Sequence, residues 1–232
     1  MVYEGCEPAD EGRREALCTL GNGYWATRAR FRAVLPMLLC QSQELDLRRG
    51  TLTRINRYRD AAVRTALITS RQFQSLAHPH LAVLETTVDA ENWSGDVVVV
   101  SADNGAVANR NAVADSHLAG HHLLAVGGSL IDDETVLWES WTLLSGFSVA
   151  TALRSRPYEE SGVQVPSRYR PLFEAGRAGF EMTFSLAPGH PVIIDTTIAV
   201  ATSRDRALTT AVQVASQRYP PRTGTGGHSR RP

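Results

Sequence analysis

Short apolar segments, separated by turn residues, dominate the chain from residue 51 onward. The spacing of these segments predicts nine strands: Thr51–Tyr58, Val63–Ser75, His80–Val88, Asp96–Ser101, His122–Val126, Thr135–Leu144, Phe147–Leu153, Ala178–Leu186 and Val192–Ala201. Many short strands with a turn after roughly every 8–12 residues are typical of a β-sandwich rather than of alternating strands and helices. We therefore predict a mainly β fold, built as an antiparallel β-sandwich.

The alternation of side chains within two of these strands predicts which residues share a face. Leu52, Asn56 and Tyr58 should lie on one face of their strand and Ile55 on the other, because successive side chains of a strand point to opposite faces. In the third strand one predicted face is formed by Ala82, Leu84, Thr86 and Val88. Each of these two strands should therefore turn one face towards a core.

Turn residues mark the ends of several strands. Asp60–Ala62 and Pro188–Gly189 predict turns, and Asn92–Gly95 should close the third strand. Asn104-Gly105 predicts a tight hairpin, because this dipeptide tolerates the positive φ angles that such a turn requires. These positions should divide the sheet into hairpins.

Three regions do not follow the β pattern. Glu11–Leu17 reads as a short helix, and the stretch from Trp25 to Ser42 has no clear period. Thr202 or Ser203 can cap a linker helix over residues 204–217. Residues 218–232 are rich in Pro, Gly and Arg, and we expect them to be disordered.

Composition excludes some classes of partner. The 24 basic and 24 acidic residues balance, so no net charge attracts nucleic acid or an anionic membrane. No stretch of the sequence has the length and hydrophobicity of a membrane span, and residues 1–10 lack the apolar core of a signal peptide. The three cysteines have no metal-binding or disulfide spacing. We expect a cytoplasmic protein without nucleic-acid or membrane partners.

Histidines and acids suggest one candidate metal or catalytic site. His117, His121 and His122 lie shortly before Asp132, Asp133 and Glu134, and imidazoles with carboxylates are good metal ligands. The acids could also supply a carboxylate pair for glycoside cleavage. However, no established metal motif is present, and three consecutive acids are more typical of a solvated turn. We favour polar loops here and expect neither metal nor cofactor.

Three tryptophans could stack on sugar rings, as aromatic side chains do in carbohydrate-binding modules. Trp138 and Trp141 are three residues apart in a predicted strand, so they should face opposite ways and cannot form one platform. Trp93 lies in a predicted turn and is better placed to cap the core. Core packing is therefore the favoured interpretation of these residues.

Five segments carry a resemblance to a known family: Leu17–Tyr24, Gln43–Arg54, Ser70–Leu81, Glu91–Gly95 and Thr202–Asp205. In this order they resemble the N-terminal β-sandwich of the family 65 glycoside hydrolases and phosphorylases, which include maltose, trehalose and kojibiose phosphorylases. The resemblance implies an antiparallel super-β-sandwich of the galactose mutarotase type over residues 1–203. It implies shortening of the family pattern near residues 28–44, and we expect it to end at Val212.

The resemblance also implies what this chain does not carry. In the family a helical barrel follows the sandwich and supplies the general acid, and inorganic phosphate is a co-substrate of the phosphorylases. No position here matches the barrel residues. We therefore expect a non-catalytic N-terminal domain whose partners are the missing catalytic barrel and a disaccharide or oligosaccharide. The alternative is a free-standing carbohydrate-binding or protein-interaction module, with possible self-association through exposed apolar surface.

The family resemblance places one segment on the sugar side of the sandwich. The turn Gly21-Asn22-Gly23 should face the barrel, so Asn22, Tyr24 and Arg28 are the candidate substrate-binding residues. A purely structural turn is the other interpretation, because glycines on both sides of Asn22 also suit a tight bend. No catalytic residue is predicted.

Overall fold

A computed structural model describes residues 2–4, 18–27, 37–105, 122–174 and 176–205. The described residues form fourteen strands. In chain order these are β1 (Val2–Glu4), β2 (Leu20–Gly21), β3 (Ala26–Thr27), β4 (Met37–Asp46), β5 (Thr51–Arg59), β6 (Thr65–Gln74), β7 (Leu81–Ala90), β8 (Gly95–Asn104), β9 (Leu123–Asp132), β10 (Thr135–Thr142), β11 (Ser148–Glu159), β12 (Arg168–Glu174), β13 (Arg177–Leu186) and β14 (Val192–Thr202).

The strands form one large sheet, one small sheet and a short ribbon. The large sheet has nine strands in the order β1-β4-β5-β6-β7-β14-β11-β10-β9, and the small sheet has three in the order β12-β13-β8. β2 and β3 pair with each other. Each pair of neighbouring strands in the described region is antiparallel, as in β11 with β14 and β13 with β8. The prediction of a mainly β, antiparallel architecture is therefore confirmed.

The small sheet packs on the large one because both carry a continuous apolar face. On β13 the even-numbered side chains Phe180, Met182, Phe184 and Leu186 are almost completely buried. They share one core with residues from the large sheet, namely Tyr58, Ile68, Val88, Ala90, Val136, Leu153, Val192 and Ile194. The apolar side chains at every second position thus form the layer through which the two sheets of the sandwich pack together.

The two predicted face assignments are correct. Leu52, Asn56 and Tyr58 of β5 are buried, whereas Ile55 is 40% exposed. On β7 the buried positions are Ala82, Thr86, Val88 and Ala90. Leu84 belongs to the same alternating set and is partly buried.

Two longer strands, β4 and β12, were not predicted. β4 has a register shift between Leu38 and Cys40, which interrupts its alternation, and its buried position Gln43 is polar. β12 lies at the edge of the small sheet and contains Pro171. Proline is tolerated in an edge strand because one side needs no ladder hydrogen bond. Irregular register and edge position therefore hid these strands.

The predicted hairpin at Asn104-Gly105 is wrong. Asn104 is the last residue of β8 and pairs with Arg177 of β13, so it has extended backbone and not the positive φ of a tight turn. By contrast, Pro188–Gly189 does form a turn, with Gly189 at φ 76°, and it connects the small sheet to the large one.

The predicted helix at Glu11–Leu17 and the predicted tail at residues 218–232 lie outside the described residues. Of the predicted linker helix, only Arg204 and Asp205 are described. In the part of the chain that the structure describes, no helix is long and apolar enough to cross a membrane.

Candidate functional site

The ribbon of β2 and β3 presents the turn that the sequence marks as the candidate site. Gly23 has φ 86°, a conformation that glycine adopts without a steric penalty. The Asn22 side chain closes the turn, because its Oδ1 accepts the backbone N–H groups of Tyr24 at 3.1 Å and Trp25 at 3.3 Å. A local side-chain contact of this kind is what favours asparagine in turns.

Asn22 also attaches this turn to the loop after β6. Its Nδ2 donates to the carbonyl oxygens of Ser75 at 2.9 Å and Pro79 at 2.8 Å. The Trp25 indole donates to the same Pro79 oxygen at 3.0 Å. The two amide protons and both acceptor positions of Asn22 are therefore used inside the protein.

Tyr24 connects the turn to the point where the chain leaves β14. Its hydroxyl donates to Asp205 Oδ2 at 2.6 Å and lies 3.4 Å from Thr202 Oγ1. Burial and the hydrogen bond to Asp205 raise the pKa of Tyr24 to about 12. The phenol is therefore a neutral donor at physiological pH, and the Asp205 carboxylate is its acceptor.

His80 fills the space beneath Tyr24. Its ring centroid is 4.5 Å from that of Tyr24, and only 7% of the residue is exposed. Nδ1 lies 2.9 Å from the backbone oxygen of Val200. Because a carbonyl oxygen can only accept, Nδ1 carries a proton. The same Nδ1 is 3.9 Å from Asp205 Oδ2, so the imidazole also lies beside this carboxylate.

The side chains of Thr202 and Asp205 each accept one backbone N–H group in the turn after β14. Asp205 Oδ2 accepts the backbone N–H of Thr202 at 2.8 Å, and Thr202 Oγ1 accepts the backbone N–H of Arg204 at 3.3 Å. Of the linker helix that Thr202 is predicted to cap, only Arg204 and Asp205 are described, so this cap stays a prediction. We call Asn22, Tyr24, His80, Thr202 and Asp205 the exit clamp.

The exit clamp is suited to fastening the chain rather than to reacting with a substrate. Its carboxylate, phenol and imidazole are hydrogen-bonded to one another or to the backbone. A sugar contact by Asn22 or Tyr24 remains a prediction, and Arg28 lies outside the described residues.

Sequence reasoning did not select His80 or Asp205. Both lie in segments that carry the family resemblance, at its Ser70–Leu81 and Thr202–Asp205 parts. No local spacing indicates that they meet, because Asp205 is 181 residues from Tyr24 in the chain. Only the pairing of distant strands brings them together.

The other aromatic candidates divide between core and surface. Trp138 is 5% exposed and Trp141 is 50% exposed, which confirms that they face opposite ways. Trp93 packs against the main core and donates its indole N–H to the Thr65 oxygen at 2.9 Å. Its interpretation as a cap on the core is therefore confirmed.

The histidine and acid candidates are not brought together as a metal centre in the described region. His122 is exposed at the start of β9, while His117 and His121 lie outside the described residues. Asp132, Asp133 and Glu134 form the β9–β10 turn, in which Asp132 Oδ1 accepts the Glu134 N–H at 2.9 Å. No group of three or more potential metal ligands occurs among the residues described.

This acidic turn forms one wall of a cleft of about 890 Å³. Glu134 accepts hydrogen bonds from Arg156 Nε and, at 2.8 Å, from Gln164 Nε2. The remaining lining includes Tyr169, Pro171 and Phe180 of the small sheet. We call this the hairpin cleft. It lies in the same sandwich as the exit clamp but uses none of its residues.

Comparison with solved structures identifies the class of fold. The chain superposes on a protein from the human microbiome named as a candidate kojibiose phosphorylase, with a TM-score of 0.68 at 12% identity. The superposition covers 87% of this chain and 32% of the other. The fold is thus a β-sandwich that forms part of a much larger protein in that structure.

Sequence comparison gives the family. The profile of the glycosyl hydrolase family 65 N-terminal domain matches residues 1–34 and 37–222, and the chain belongs to this family. The match continues past Val212, so the expectation that the resemblance ends there is wrong.

The curated relatives are considerably longer than this chain. Two uncharacterized glycosyl hydrolases, from Mycobacterium tuberculosis strains CDC 1551 / Oshkosh and ATCC 25618 / H37Rv, are each 29% identical over 273 residues. That alignment covers 94% of this chain and 20% of each relative. A kojibiose phosphorylase of Thermoanaerobacter brockii is 29% identical over 166 residues, which cover 69% of this chain and 21% of that enzyme. The chain therefore spans about a fifth of these relatives.

Proposed function

We propose that this chain serves as the non-catalytic N-terminal sandwich of a family 65 glycoside hydrolase or phosphorylase that acts on α-glucosidic disaccharides. The observation that carries this proposal is the exit clamp, which holds the chain firmly at Asp205 where it leaves the last strand. A firm attachment at that point fixes the direction in which the following polypeptide begins. Accordingly, we propose a sandwich over residues 1–203, a linker helix over 204–217 and a tail over 218–232.

An apolar surface beside the exit supports the same proposal. Trp141 of β10 pairs with Leu124 of β9, and both are at least half exposed, at 50% and 58%. Leu143 and Leu144 in the following turn are 50% and 95% exposed. We call these four residues the apolar hairpin surface. Neighbouring exposed apolar side chains of this kind commonly mark a contact with another protein unit.

The apolar hairpin surface lies next to residues that contact the chain exit. Ser203 N donates to the Ser148 oxygen at 3.0 Å, and Arg204 lies 4.9 Å above the ring of Phe147. Phe147 N in turn donates to Thr142 Oγ1 at 2.9 Å, directly beside Trp141. Polypeptide that continues after Asp205 therefore starts next to this surface, and we propose that the catalytic barrel packs there.

Turnover is the first test of the proposed role. The purified chain is incubated with maltose, trehalose or kojibiose, with and without inorganic phosphate, and glucose and glucose phosphate are measured. We expect neither product, because a positioned general acid supplies a large part of such catalysis and none is predicted here. Turnover that co-elutes with the folded chain on gel filtration would contradict the proposal.

The second candidate is a free-standing interaction module, in which a second copy of the chain rather than a barrel covers the same apolar hairpin surface. Light scattering over a concentration series would show a dimer that Trp141→Ser abolishes. Leu47→Ser is the matched control, because Leu47 is 77% exposed in the separate β4–β5 turn. A monomer at every concentration contradicts this candidate and leaves the first.

A further inference from the structure

The hairpin cleft has the volume of a site for a small ligand. Its volume of about 890 Å³ falls in the range of roughly 300–1,000 Å³ that is usual for small-molecule sites. One wall is the β9–β10 turn of the large sheet, and another is formed by Tyr169 and Pro171 on β12 of the small sheet. The cleft therefore opens between the two sheets, where ligand sites often form.

The polar groups on one side of the cleft are held in fixed positions. Glu134 is bound by both Arg156 and Gln164. Burial by itself would lower the pKa of Arg156, but the hydrogen bonds to Glu134 and Tyr158, together with the attraction of both groups, raise it. The Tyr169 hydroxyl donates to the Ser155 oxygen at 3.0 Å, and its ring meets Phe180 edge-on at 5.5 Å. A ligand would meet groups that are already oriented, which lowers the entropic cost of binding.

The charges of the lining restrict the chemistry of the ligand. Three carboxyl groups, from Asp132, Asp133 and Glu134, and one guanidinium, from Arg156, line the cleft, which leaves an excess of two negative charges. A phosphate or another anion is repelled by this excess. The described residues offer no cluster for a metal ion. Ionised carboxylates only accept hydrogen bonds, so a neutral ligand with many hydroxyl donors and an organic cation both suit this lining.

The apolar part of the lining matches the same ligand class. Tyr169 is partly buried and Pro171 is exposed, and both line the cleft beside the carboxylates. An aromatic ring next to carboxylate and amide groups can cover the C–H face of a pyranose while the polar groups bind its hydroxyls. We propose that the hairpin cleft binds a neutral saccharide of one or two rings. The choice of a saccharide as the ligand rests on the proposed carbohydrate function. That the cleft is a ligand site does not depend on it.

Maltose is the probe, and binding is followed by calorimetry and by ¹H–¹⁵N spectra of the full chain. We expect saturable binding, with shifts at residues of the β9–β10 turn and β12. Asp133→Asn removes one acceptor from an exposed turn position, so the fold should persist, and it should weaken maltose binding at least about fivefold. Glu160→Gln is the matched control, because Glu160 is an exposed acid outside the cleft lining. It should leave binding unchanged.

Two further ligands separate the possible outcomes. Glucose 1-phosphate should bind more weakly than maltose, and tighter binding overturns the inference that the cleft rejects anions. A triarginine peptide that displaces maltose from the cleft would assign the site to cationic peptides and also overturn it. Folded protein that shows no shift with maltose, or shifts only around Asn22 and Tyr24, contradicts the proposal.

The two proposals fail in different ways. Turnover with maltose and phosphate would remove the non-catalytic role and leave saccharide binding at the cleft intact. Absence of both turnover and binding would contradict saccharide binding at the cleft and leave the proposed non-catalytic role standing. Binding that Asp133→Asn weakens, in a chain without turnover, supports both.

Discussion

The exit clamp and the hairpin cleft are both polar, but they use their polar groups in opposite ways. In the exit clamp, Asp205 accepts hydrogen bonds from Tyr24 and from the backbone of Thr202, and Asn22 uses both of its amide atoms internally. In the hairpin cleft, Asp132 and Asp133 remain exposed to solvent. Polar groups whose hydrogen bonds are all made within the protein stabilise the position of the chain. Polar groups that stay exposed on a rigid element can bind a ligand. Burial and partner count, rather than residue type, separate the two regions.

The largest expected effect should come from the core that lies beneath the hairpin cleft and is not part of the exit clamp. Phe180 is fully buried between the sheets and also lines the hairpin cleft. Phe180→Ala should lower the free energy of unfolding by about 3–5 kcal/mol, because it removes apolar contacts and leaves a cavity. Urea denaturation measures this loss, and Phe173→Ala, at a 43% exposed position of β12, is the control. A loss below 1 kcal/mol for Phe180→Ala would contradict the common core.

The next largest effect should be a difference in stability between a variant of the exit clamp and a variant of the hairpin cleft. Asp205→Ala removes the acceptor of Tyr24 and of the Thr202 N–H, and we expect a loss of about 1.5–3 kcal/mol in unfolding free energy. Asp133→Ala, in the exposed turn of the cleft, should change stability by no more than about 0.5 kcal/mol. Thermal denaturation of both variants gives the comparison. Equal losses of stability in the two variants would contradict the role of Asp205 in holding the chain at its exit from β14.

A smaller effect is expected from glycines beside the cleft. A Cβ at Gly128 would lie 2.5 Å from the ring of Phe173, whereas nothing lies within 4 Å of a Cβ at Gly127. Gly128→Ala should therefore cost about 1 kcal/mol, since the partly exposed ring can move, and Gly127→Ala should be nearly neutral. Chemical denaturation checks the order of the two. The reverse order would show that β9 and β12 are not packed as described.

The smallest effect should appear only at high pH. The pKa of Tyr24 rises from its ordinary 10.0 to about 12 in the folded protein, mainly through burial and then through the bond to Asp205. The folded state therefore holds this proton more tightly, so its stabilisation is complete below pH 10 and is lost as the pH rises towards 12. Ultraviolet titration at 295 nm of the wild type and Tyr24→Phe should differ by one late phenolate step. A step near pH 10 would contradict the burial of this phenol.

Much of the sandwich could be predicted because its strands are locally regular. In β5 and β13 the buried side chains recur at every second position, so sequence alone marks both the strand and its inner face. β4 could not be recognised because its register shift and its buried Gln43 break this rule. At Asn104 the turn propensity was overridden by pairing with β13, which supplies ladder hydrogen bonds that a tight turn would lose.

The candidate site was predictable only in part. Gly21-Asn22-Gly23 marks a turn by its own chemistry, and the structure confirms the turn. Asn22 bonds to Ser75 and Pro79, which are 53 and 57 residues away, and Tyr24 bonds to Asp205, which is 181 residues away. No sequence period connects positions at such separations, so the exit clamp became visible only in three dimensions. The hairpin cleft was hidden for the same reason.

The sequence by itself determined the strand-rich fold, the faces of its regular strands and the membership of the family 65 N-terminal domain. These properties depend on neighbouring residues, or on a pattern of residues in a fixed order. The tertiary structure alone decided that Tyr24 meets Asp205, and that the acids of the β9–β10 turn face Tyr169 across a cleft. The physical reason is that polar groups take their role from their partners, and here those partners come from distant strands that only the packed sheets bring within hydrogen-bonding distance.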